Sequence, residues 1–454
     1  MKFRFILSAA ALLISLTPAY AIPPFARKYE TSCVTCHVVP PKLNAFGQAF
    51  KNLGYRMPGN DASLVKRPPV ALGTPAWKQV WPKGIWPSSI PGAEYLGILL
   101  TSNYEVNPSA KVTNEFDGIG EAGLLIGGTL GESFSFFGDL KLFEQGHSGN
   151  IEGLFVQYNH PGHWFNVTVG QFEPRAAPFS NHLRITQQTS FLADTYPTIP
   201  ADNFFGFSPN QRGIEVWGAR EGFGNKGGLL WSAGVVNGDF GGSVEELRDS
   251  SVGPLLAQLD LARQENGGKF DVNSGKDVYV QASYKLGGLG VLGSSAKRVP
   301  AGGSNWRDTS LTFGGYFYRG TTGAFLDRNG SQQFANSGDK FYRAGATFDA
   351  WFSDLNVLGG WQRNHDRLDD GRVYDVEIPT FEASYALPWP WIVPAARFEQ
   401  VRPSFASKFS LWSLSCSFLL RANVVFTLNG AVSRKAPILP PFDNRFRAGL
   451  RFYF

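Results

Sequence analysis

The sequence lacks several features that would mark a soluble enzyme or a helical membrane protein. The apolar run at residues 5–16 is too short for a membrane helix, and no later stretch reaches the roughly 18 uninterrupted apolar residues that such a helix needs. No phosphate-binding loop, zinc-ligand pattern or nucleophile constellation stands out. Lysine and arginine (42) nearly balance aspartate and glutamate (37), which gives no reason to expect a nucleic-acid partner. Sulfur is also scarce, because 454 residues include only three cysteines and two methionines.

The N-terminus has the pattern of a secretory signal peptide. Lys2 and Arg4 precede an apolar run over residues 5–16, and Ala19-Tyr20-Ala21 supplies a small-x-small cleavage pattern. We expect the signal peptide to cover residues 1–21, so that the mature chain begins at Ile22 and the formal net charge falls from +5 to +3. In an exported chain, 52 glycines and 38 phenylalanines favour extensive antiparallel sheet with interfacial aromatic residues.

The motif Cys33-Val34-Thr35-Cys36-His37 has the C-x-x-C-H spacing of a c-type haem attachment site. Two thiols at this spacing reach the two vinyl groups of one porphyrin, and the adjacent histidine becomes the proximal iron ligand. The alternatives are a disulfide or a thioredoxin-like pair, although the βαβ context of the latter is missing. We therefore predict one covalently attached haem c.

Residues 22–60 are predicted to form a small, mainly helical haem segment. Leu43, Phe46, Phe50 and Leu53 recur at helical spacing after Pro40-Pro41, which can open a helix, and Gly54 is a natural stop. Below about 40 residues a chain rarely builds an independent core, so another part of the protein has to help bury the porphyrin.

Met57 is the predicted distal iron ligand. It is the only thioether once Met1 leaves with the signal peptide, and it follows His37 by twenty residues. Ligation by His37 and Met57 would raise the haem potential relative to two histidines. A histidine from later in the chain and a weakly held sixth position are the alternatives.

The chain beyond residue 92 is predicted to be a membrane barrel. A Pro- and Trp-rich tether over residues 61–92 precedes stretches of about ten residues that alternate in polarity. Such alternation fits both a soluble sandwich and a membrane barrel. At the chain end, however, Arg445, Arg447 and Arg451 share one face, which suits a wet lumen better than a dry core. The opposite face ends in Phe454, and a terminal aromatic residue resembles the assembly signal of bacterial outer-membrane barrels.

We therefore predict an all-β fold, an antiparallel transmembrane β-barrel over residues 93–454 in the bacterial outer membrane. Sixteen strands give the even number that bacterial barrels require. They are expected near 94–105, 118–129, 133–143, 150–159, 164–173, 211–220, 227–237, 276–286, 308–319, 340–351, 354–363, 376–387, 392–401, 408–420, 424–433 and 443–454. Long connections (174–210, 238–275, 320–339, 364–375) would be extracellular, and Leu130–Glu132, Phe352–Asp354 and Arg421–Asn423 would be periplasmic turns. Because 287–307 is long for such a turn, a strand at Gly290–Lys297 and an 18-strand count are the alternative.

The N-terminal segment resembles a known family, the outer-membrane monohaem cytochromes fused to a porin, of the iron-oxidising type. The resemblance covers about forty residues: Pro24-Phe25-Ala26-Arg27, the haem motif, Pro41, Leu43-Asn44, Phe46-Gly47, Phe50 and Gly54-Tyr55. The barrel matches the family only in architecture and length. The resemblance implies haem c on Cys33, Cys36 and His37, held at or inside the pore. It also implies electron flow from extracellular Fe(II) to periplasmic cytochromes or other carriers.

Several weaker sites follow from the same sequence. Arg445, Arg447 and Arg451 could pair with haem propionates or be ordinary lumen charges. His365, Asp366, Asp369 and Asp370 could bind iron in an external loop or form a solvated charged loop. Residues 251–266 could form a short helix that folds into the pore mouth or packs on its own loop. Cys416, on the lipid-facing side of its strand, is read as a small apolar residue.

Two functions remain open at this point. In the first, the chain is an electron conduit across the outer membrane, which would act as an Fe(II) oxidase if iron is its electron donor. In the second, it is a solute-conducting porin whose haem segment is a periplasm-facing docking module. Outer-membrane lipid is a partner in either case.

Overall fold

The computed structural model describes most of the chain. The described residues are 24–59, 61–66, 70–71, 89–90, 96–108, 113–130, 132–144, 147–148, 151–180, 182–185, 192–196, 198, 203, 205–207, 210–238, 275–294, 307–321, 340–387, 391–421, 423–434 and 444–453. The predicted signal peptide, much of the predicted tether and the predicted helix at residues 251–266 lie outside them.

The described strands close into one antiparallel barrel of sixteen strands, two of which run in two pieces. The strands are β1 Leu96–Val106, β2 Asn114–Phe116 with Glu121–Leu130, β3 Phe134–Glu144, β4 His147–Ser148 with Ile151–Asn159, β5 Asn166–Phe172, β6 Gln211–Glu221, β7 Gly228–Val236, β8 Asp277–Gly287, β9 Asp308–Thr321, β10 Lys340–Ser353, β11 Leu355–Arg367, β12 Val373–Tyr385, β13 Ile392–Pro403, β14 Phe409–Arg421, β15 Val424–Arg434 and β16 Arg445–Tyr453. The predicted fold class and the count of sixteen are confirmed.

Alternation of side chains sorts the barrel into an apolar outside and a mixed inside. On β8, Val278, Val280, Tyr284 and Leu286 are exposed, whereas Tyr279 between them is buried in the lumen. Such an outward apolar band is the lipid-facing surface of a membrane barrel. Cys416 lies on the outward side of β14 with Trp412 and Leu414, as predicted. No helix among the described residues is long and apolar enough to cross a membrane.

The two ends of the barrel differ in the length of their connections. The short-turn end carries the predicted turns after β2, β10 and β14, and in bacterial barrels this end faces the periplasm. The predicted external loop at 364–375 is wrong, because β11 continues to Arg367 and β12 begins at Val373. Register pairing of Asp366 with Tyr374 extends the sheet through both segments.

The N-terminal segment is mainly helical, as predicted. It contains α1 (Pro24–Tyr29), a 3₁₀ turn (Cys33–Thr35), α2 (Ala45–Asn52) and α3 (Asp61–Leu64). The expected helix start at Pro40-Pro41 is wrong, since these prolines join the short strands His37–Val39 and Lys42–Leu43. Asn44 is the true N-cap of α2, because its side chain accepts a hydrogen bond from the Gly47 amide. The helix ends as predicted, with Gly54 at a φ of 65°.

Candidate cofactor site

The described residues within 24–66, called the plug from here on, contact the inside of the barrel at its short-turn end. Lys28 Nζ donates to Thr129 Oγ1 at 3.2 Å, and Arg56 donates to the Phe134 carbonyl at 2.9 Å. Thr129 and Phe134 flank the short turn between β2 and β3. Asn52 donates to the Val291 carbonyl at 2.9 Å in the connection after β8. The plug is therefore fastened to the wall by hydrogen bonds on more than one side.

The contact with Val291 explains the long connection that raised the alternative of eighteen strands. Residues 288–294 form turns, with no strand, and they lie against the plug. A Cβ atom added to Gly293 would stand 2.8 Å from Pro58 and 3.0 Å from Ala49 of α2. The extra length therefore supplies backbone that packs under the plug.

Apolar contacts hold the C-x-x-C-H motif and the residues that follow it against the opposite wall. Val34, Val38 and Val39 are buried in a cluster with lumen-facing residues near the short-turn ends of the strands. The wall residues of this cluster are Trp351, Ala386, Val393, Ala395, Leu419, Val425 and Tyr453. Lys42, next to the motif, is buried with its ammonium 5.4 Å from the Trp351 ring and bonded to Asn356. The C-x-x-C-H segment is thus part of the barrel interior.

Asn44 and Gly47 shape the loop that carries the two cysteines. Asn44 is fully buried, and its side-chain nitrogen donates to the carbonyls of Val34 (3.3 Å) and Thr35 (3.1 Å). The backbone N–H of Asn44 donates to the Cys36 carbonyl. A Cβ atom at Gly47 would stand only 2.1 Å from that same carbonyl oxygen. Only glycine lets the first turn of α2 approach the motif this closely, because any side chain would collide with backbone.

One ring nitrogen of His37 makes a hydrogen bond to the protein backbone. Its Nδ1 lies 3.2 Å from the Pro41 carbonyl oxygen, to which it donates in the corresponding tautomer. Burial lowers the pKa of His37 to about 4, against the opposing effect of the backbone hydrogen bonds, so the ring is neutral. A neutral imidazole whose Nδ1–H is held by a carbonyl presents Nε2 to a metal, which is the usual arrangement of a histidine ligand.

The two motif cysteines do not form a disulfide. Burial raises the pKa of Cys33 to about 11 and that of Cys36 to about 12, where the neighbouring Cys33 adds to the effect. Thiol–disulfide chemistry requires a thiolate, which such values disfavour at neutral pH. The alternative of a thioredoxin-like redox pair is therefore disfavoured.

Met57 lies in an apolar cluster that adjoins the C-x-x-C-H motif. It is buried with Tyr29, Phe46 and Phe50, and Cys36 packs against this cluster. Asp61 holds the loop in place, since its Oδ1 accepts from the Met57 amide at 2.8 Å and from the Tyr29 hydroxyl at 2.6 Å. The structure thus brings Cys36 and Met57, predicted from separate arguments, into one cluster.

His182 is a neighbour of the motif that the sequence did not single out. Its Nδ1 lies 3.5 Å from the Pro41 oxygen that also faces His37, and its carbonyl accepts from the Leu43 amide at 2.9 Å. Burial, with the nearby Lys51 charge, lowers its pKa to about 3. His182 is therefore a candidate for the alternative named above, in which a histidine from later in the chain replaces Met57 as the distal iron ligand. No local pattern could have found it, because 145 residues separate it from His37.

The connection between β5 and β6 supplies His182 and folds back into the barrel. We call the described residues within 173–207 the inner loop. The Ile185 amide donates to Glu382 at 2.9 Å and the Leu192 amide donates to Glu399 at 2.6 Å, both carboxylates being buried in the lumen wall. Thr198 donates to Asp366 at 2.8 Å, and the Phe205 ring packs 4.4 Å from that of Tyr318. The predicted extracellular position of 174–210 is wrong for the described part of this loop.

Two of the weaker predicted sites are also placed differently. Asp366 is buried in an ion pair with Arg343 (3.1 Å), whereas His365 faces outward and bonds to Asp375 at 2.9 Å. Adjacent strand residues point to opposite faces, so His365 and Asp366 cannot share an iron. No cluster of three or more metal-type ligands occurs among the described residues. Arg447 pairs with Glu105 in the lumen, which is the ordinary role considered for it.

The donor set of the plug fits a haem c. Two unbridged thiols stand at the attachment spacing, an oriented imidazole follows them, and a thioether is buried in the adjoining cluster. The two thiols would attach the porphyrin, and the imidazole and the thioether would be available as ligands of its iron, which would supply one-electron redox chemistry.

Comparison with known proteins supports the barrel. No protein-family model and no curated protein matches the chain. Among solved structures, a Salmonella typhi OmpF complex with daunomycin has a TM-score of 0.50 at 10% identity and covers 79% of this chain and 97% of that one. The anion-selective porin from Comamonas acidovorans has a TM-score of 0.49 at 12% identity, with 79% and 98% covered. At such identity the likeness concerns the fold alone. With its closed sheet and apolar outer band, the chain is a porin-like β-barrel protein of the bacterial outer membrane.

Proposed function

We propose that this protein is an outer-membrane c-type cytochrome whose porin-like barrel carries electrons between an extracellular donor, Fe(II), and periplasmic carriers. The observation that carries the proposal is the position of Cys33, Cys36 and His37 inside the lumen, with Met57 buried in the adjoining cluster. Haem c, when bound there, would supply reversible one-electron transfer. The family resemblance supplies Fe(II) as the donor.

The protein residues around the motif have definable tasks in this proposal. Cys33 and Cys36 attach the group, and the Pro41 carbonyl orients His37 through Nδ1. Asp61 fixes the Met57 backbone, and Asn44 fixes the loop that carries the cysteines. Tyr29, Phe46 and Phe50 exclude water from the cluster, which raises the redox potential of an iron centre. Location at the short-turn end suits exchange with periplasmic carriers.

A second function is a solute-conducting porin whose haem segment serves as a periplasm-facing docking module. The observation that favours it is the fold, which OmpF shares. The inner loop and the plug both occupy the lumen, however, and each narrows a path for solutes. The two functions differ in whether Fe(II) reaches the haem and whether the barrel passes ions.

Haem attachment is the first part of the test, and the three cysteines provide a matched set. The purified full-length protein should retain haem after denaturing electrophoresis and gain the mass of one haem. A Cys33→Ser/Cys36→Ser variant should lose both signals, whereas Cys416→Ser, altered on the outer wall, should keep them. A wild-type protein that folds as a barrel but carries no covalent haem would contradict the cytochrome proposal.

Reduction by Fe(II) is the second part. Stopped-flow absorbance of the oxidised protein in detergent should show the reduced c-haem bands growing after mixing with Fe(II). His37→Ala should abolish this response while the barrel remains intact in heat-modifiability assays. If dithionite reduces the haem but Fe(II) does not at any pH tried, and planar bilayers show open channels, the porin function replaces the conduit.

A further inference from the structure

The outer wall of the barrel carries a group of cations at the long-loop end of β9 to β13. The outward-facing cations are Lys340, Arg319, Arg363, Arg367 and Arg402, and together we call them the outer cationic patch. Register pairs make it continuous: Lys340 stands beside Arg367, while Glu377 stands between Arg363 and Arg402. The outer wall at this level thus carries five cations and two carboxylates, Asp375 and Glu377.

The patch lies at the border of the lipid-facing band. Further toward the membrane, Trp361 on β11 and Phe381 on β12 are exposed. Phe398 contacts Trp412 across β13 and β14, with ring centroids 4.7 Å apart. Charged side chains are costly against hydrocarbon and inexpensive near the interface, so the cations have to lie in the headgroup layer. Because the short-turn end faces the periplasm, this is the outer leaflet.

Part of the patch is held rigid by the protein. Arg363 donates to Asp375 Oδ1 from Nε (3.3 Å) and from one terminal nitrogen (3.2 Å), and His365 approaches the same oxygen at 2.9 Å. His365 also stacks on Tyr342, and Tyr342 stacks on Phe317, at 4.7 and 5.7 Å between ring centroids. A guanidinium fixed in this way loses little freedom when it binds an anion.

The other cations have no such internal partners. Within the described part of the chain, Arg319, Lys340 and Arg367 make no hydrogen bond or ion pair, and all three are exposed. Arg402 donates only to Gln400, at 2.6 Å. Four cationic heads are therefore available beside one that is preorganised.

We propose that the outer cationic patch binds the phosphate groups of a phosphorylated glycolipid of the outer leaflet. The guanidinium groups match phosphate geometry in a bidentate manner, and the ring stack with Trp361 lies where saccharide and upper acyl chain would contact the wall. The site is independent of the plug and of any haem. It anchors this side of the barrel in one leaflet.

Binding of diphosphoryl lipid A to the full-length protein in detergent tests the proposal, measured by native mass spectrometry. Arg363→Gln/Arg402→Gln should weaken binding by roughly tenfold or more, because charge-assisted hydrogen bonds to phosphate are lost. Arg220→Gln, an exposed cation on the outer wall at the opposite end, should bind as wild type. Enzymatically dephosphorylated lipid A should bind the wild-type protein as weakly as the double variant binds the intact lipid.

Two results would overturn the proposal. One is equal binding of intact and dephosphorylated lipid A, which would reduce the contact to the general apolar band. The other is full competition by inorganic phosphate at equal concentration, which would assign the patch to a soluble anion. If the double variant fails heat-modifiability, the dephosphorylated lipid still decides the question on the unaltered protein.

Discussion

At the scale of single residues, Asn44 does more for the C-x-x-C-H loop than its residue type suggests. Its side-chain oxygen caps α2 through the Gly47 amide at 2.8 Å, and its side-chain nitrogen donates to two carbonyls of the C-x-x-C-H loop. One buried amide therefore couples the helix to the loop. The sequence indicated Asn44 only through the family resemblance, since a helix start at Pro40-Pro41 left it no role.

Replacing Asn44 by alanine or by serine separates its capping of α2 from its hydrogen bonds to the C-x-x-C-H loop. Asn44→Ala should destabilise the plug by about 1–3 kcal/mol, because the cap is lost and buried carbonyls lose donors. Asn44→Ser keeps a capping oxygen and should lie between alanine and wild type. Limited proteolysis of the plug in the folded barrel measures the effect. Equal protection of all three proteins would show that none of the three side-chain hydrogen bonds of Asn44 contributes.

Met57 and His182 differ in whether the sequence could identify them as neighbours of the C-x-x-C-H motif. Met57 was selected because it was the only thioether, and it lies buried in the cluster that Cys36 packs against. His182 was not selected, and it lies beside His37 through the carbonyl of Pro41. Scarcity is visible in a sequence, whereas proximity across 145 residues is produced only by folding.

At the scale of elements, the inner loop is the part whose position was predicted incorrectly. Its length suggested an extracellular loop, but its backbone amides reach carboxylates on the lumen face of β12 and β13. Glu382 and Glu399 each take an inward position in an alternating strand, which a lumen wall allows and a lipid face does not. The alternation along the strands therefore predicts that these two carboxylates point inward. No local sequence pattern indicates that the amides of Ile185 and Leu192 are their hydrogen-bond donors.

Removal of these acceptors should release the inner loop. Glu382→Ala/Glu399→Ala should expose the loop to protease, because two buried amides would lose partners at about 1–3 kcal/mol each. Glu382→Gln/Glu399→Gln retains an acceptor oxygen at both positions and should stay nearer wild type. Cleavage rates of folded protein in detergent provide the measurement. An alanine variant as resistant as wild type would mean that other contacts, such as Thr198 with Asp366, hold the loop.

At the scale of the whole molecule, two segments from different parts of the chain share one lumen. The plug enters at the short-turn end, and the inner loop enters from the other end and meets it where His182 accepts from Leu43. A barrel of sixteen strands without such contents has an aqueous channel. The interior of this barrel is instead occupied by protein along both segments.

Deleting the plug should therefore open a path for ions. A variant that lacks residues 24–66 is expected to conduct more than the full-length protein in planar bilayers, provided that it still shows heat-modifiability. A variant that lacks the exposed turn residues 369–371 is the matched control and should conduct like the full-length protein. Equal conductance of all three would mean that the inner loop alone limits the channel.

The sequence by itself determined the barrel and the motif, because both depend on short-range patterns. Alternation at period two places side chains on two faces of a strand, so the sixteen strands could be found from residue order. Tertiary structure alone decided where the inner loop lies, that His182 adjoins His37 and that His365 and Asp366 separate to opposite faces of β11. It also gave the 288–294 turn its role under the plug. Each of these depends on pairing between residues far apart in the chain, which closure of the barrel imposes and no local pattern records.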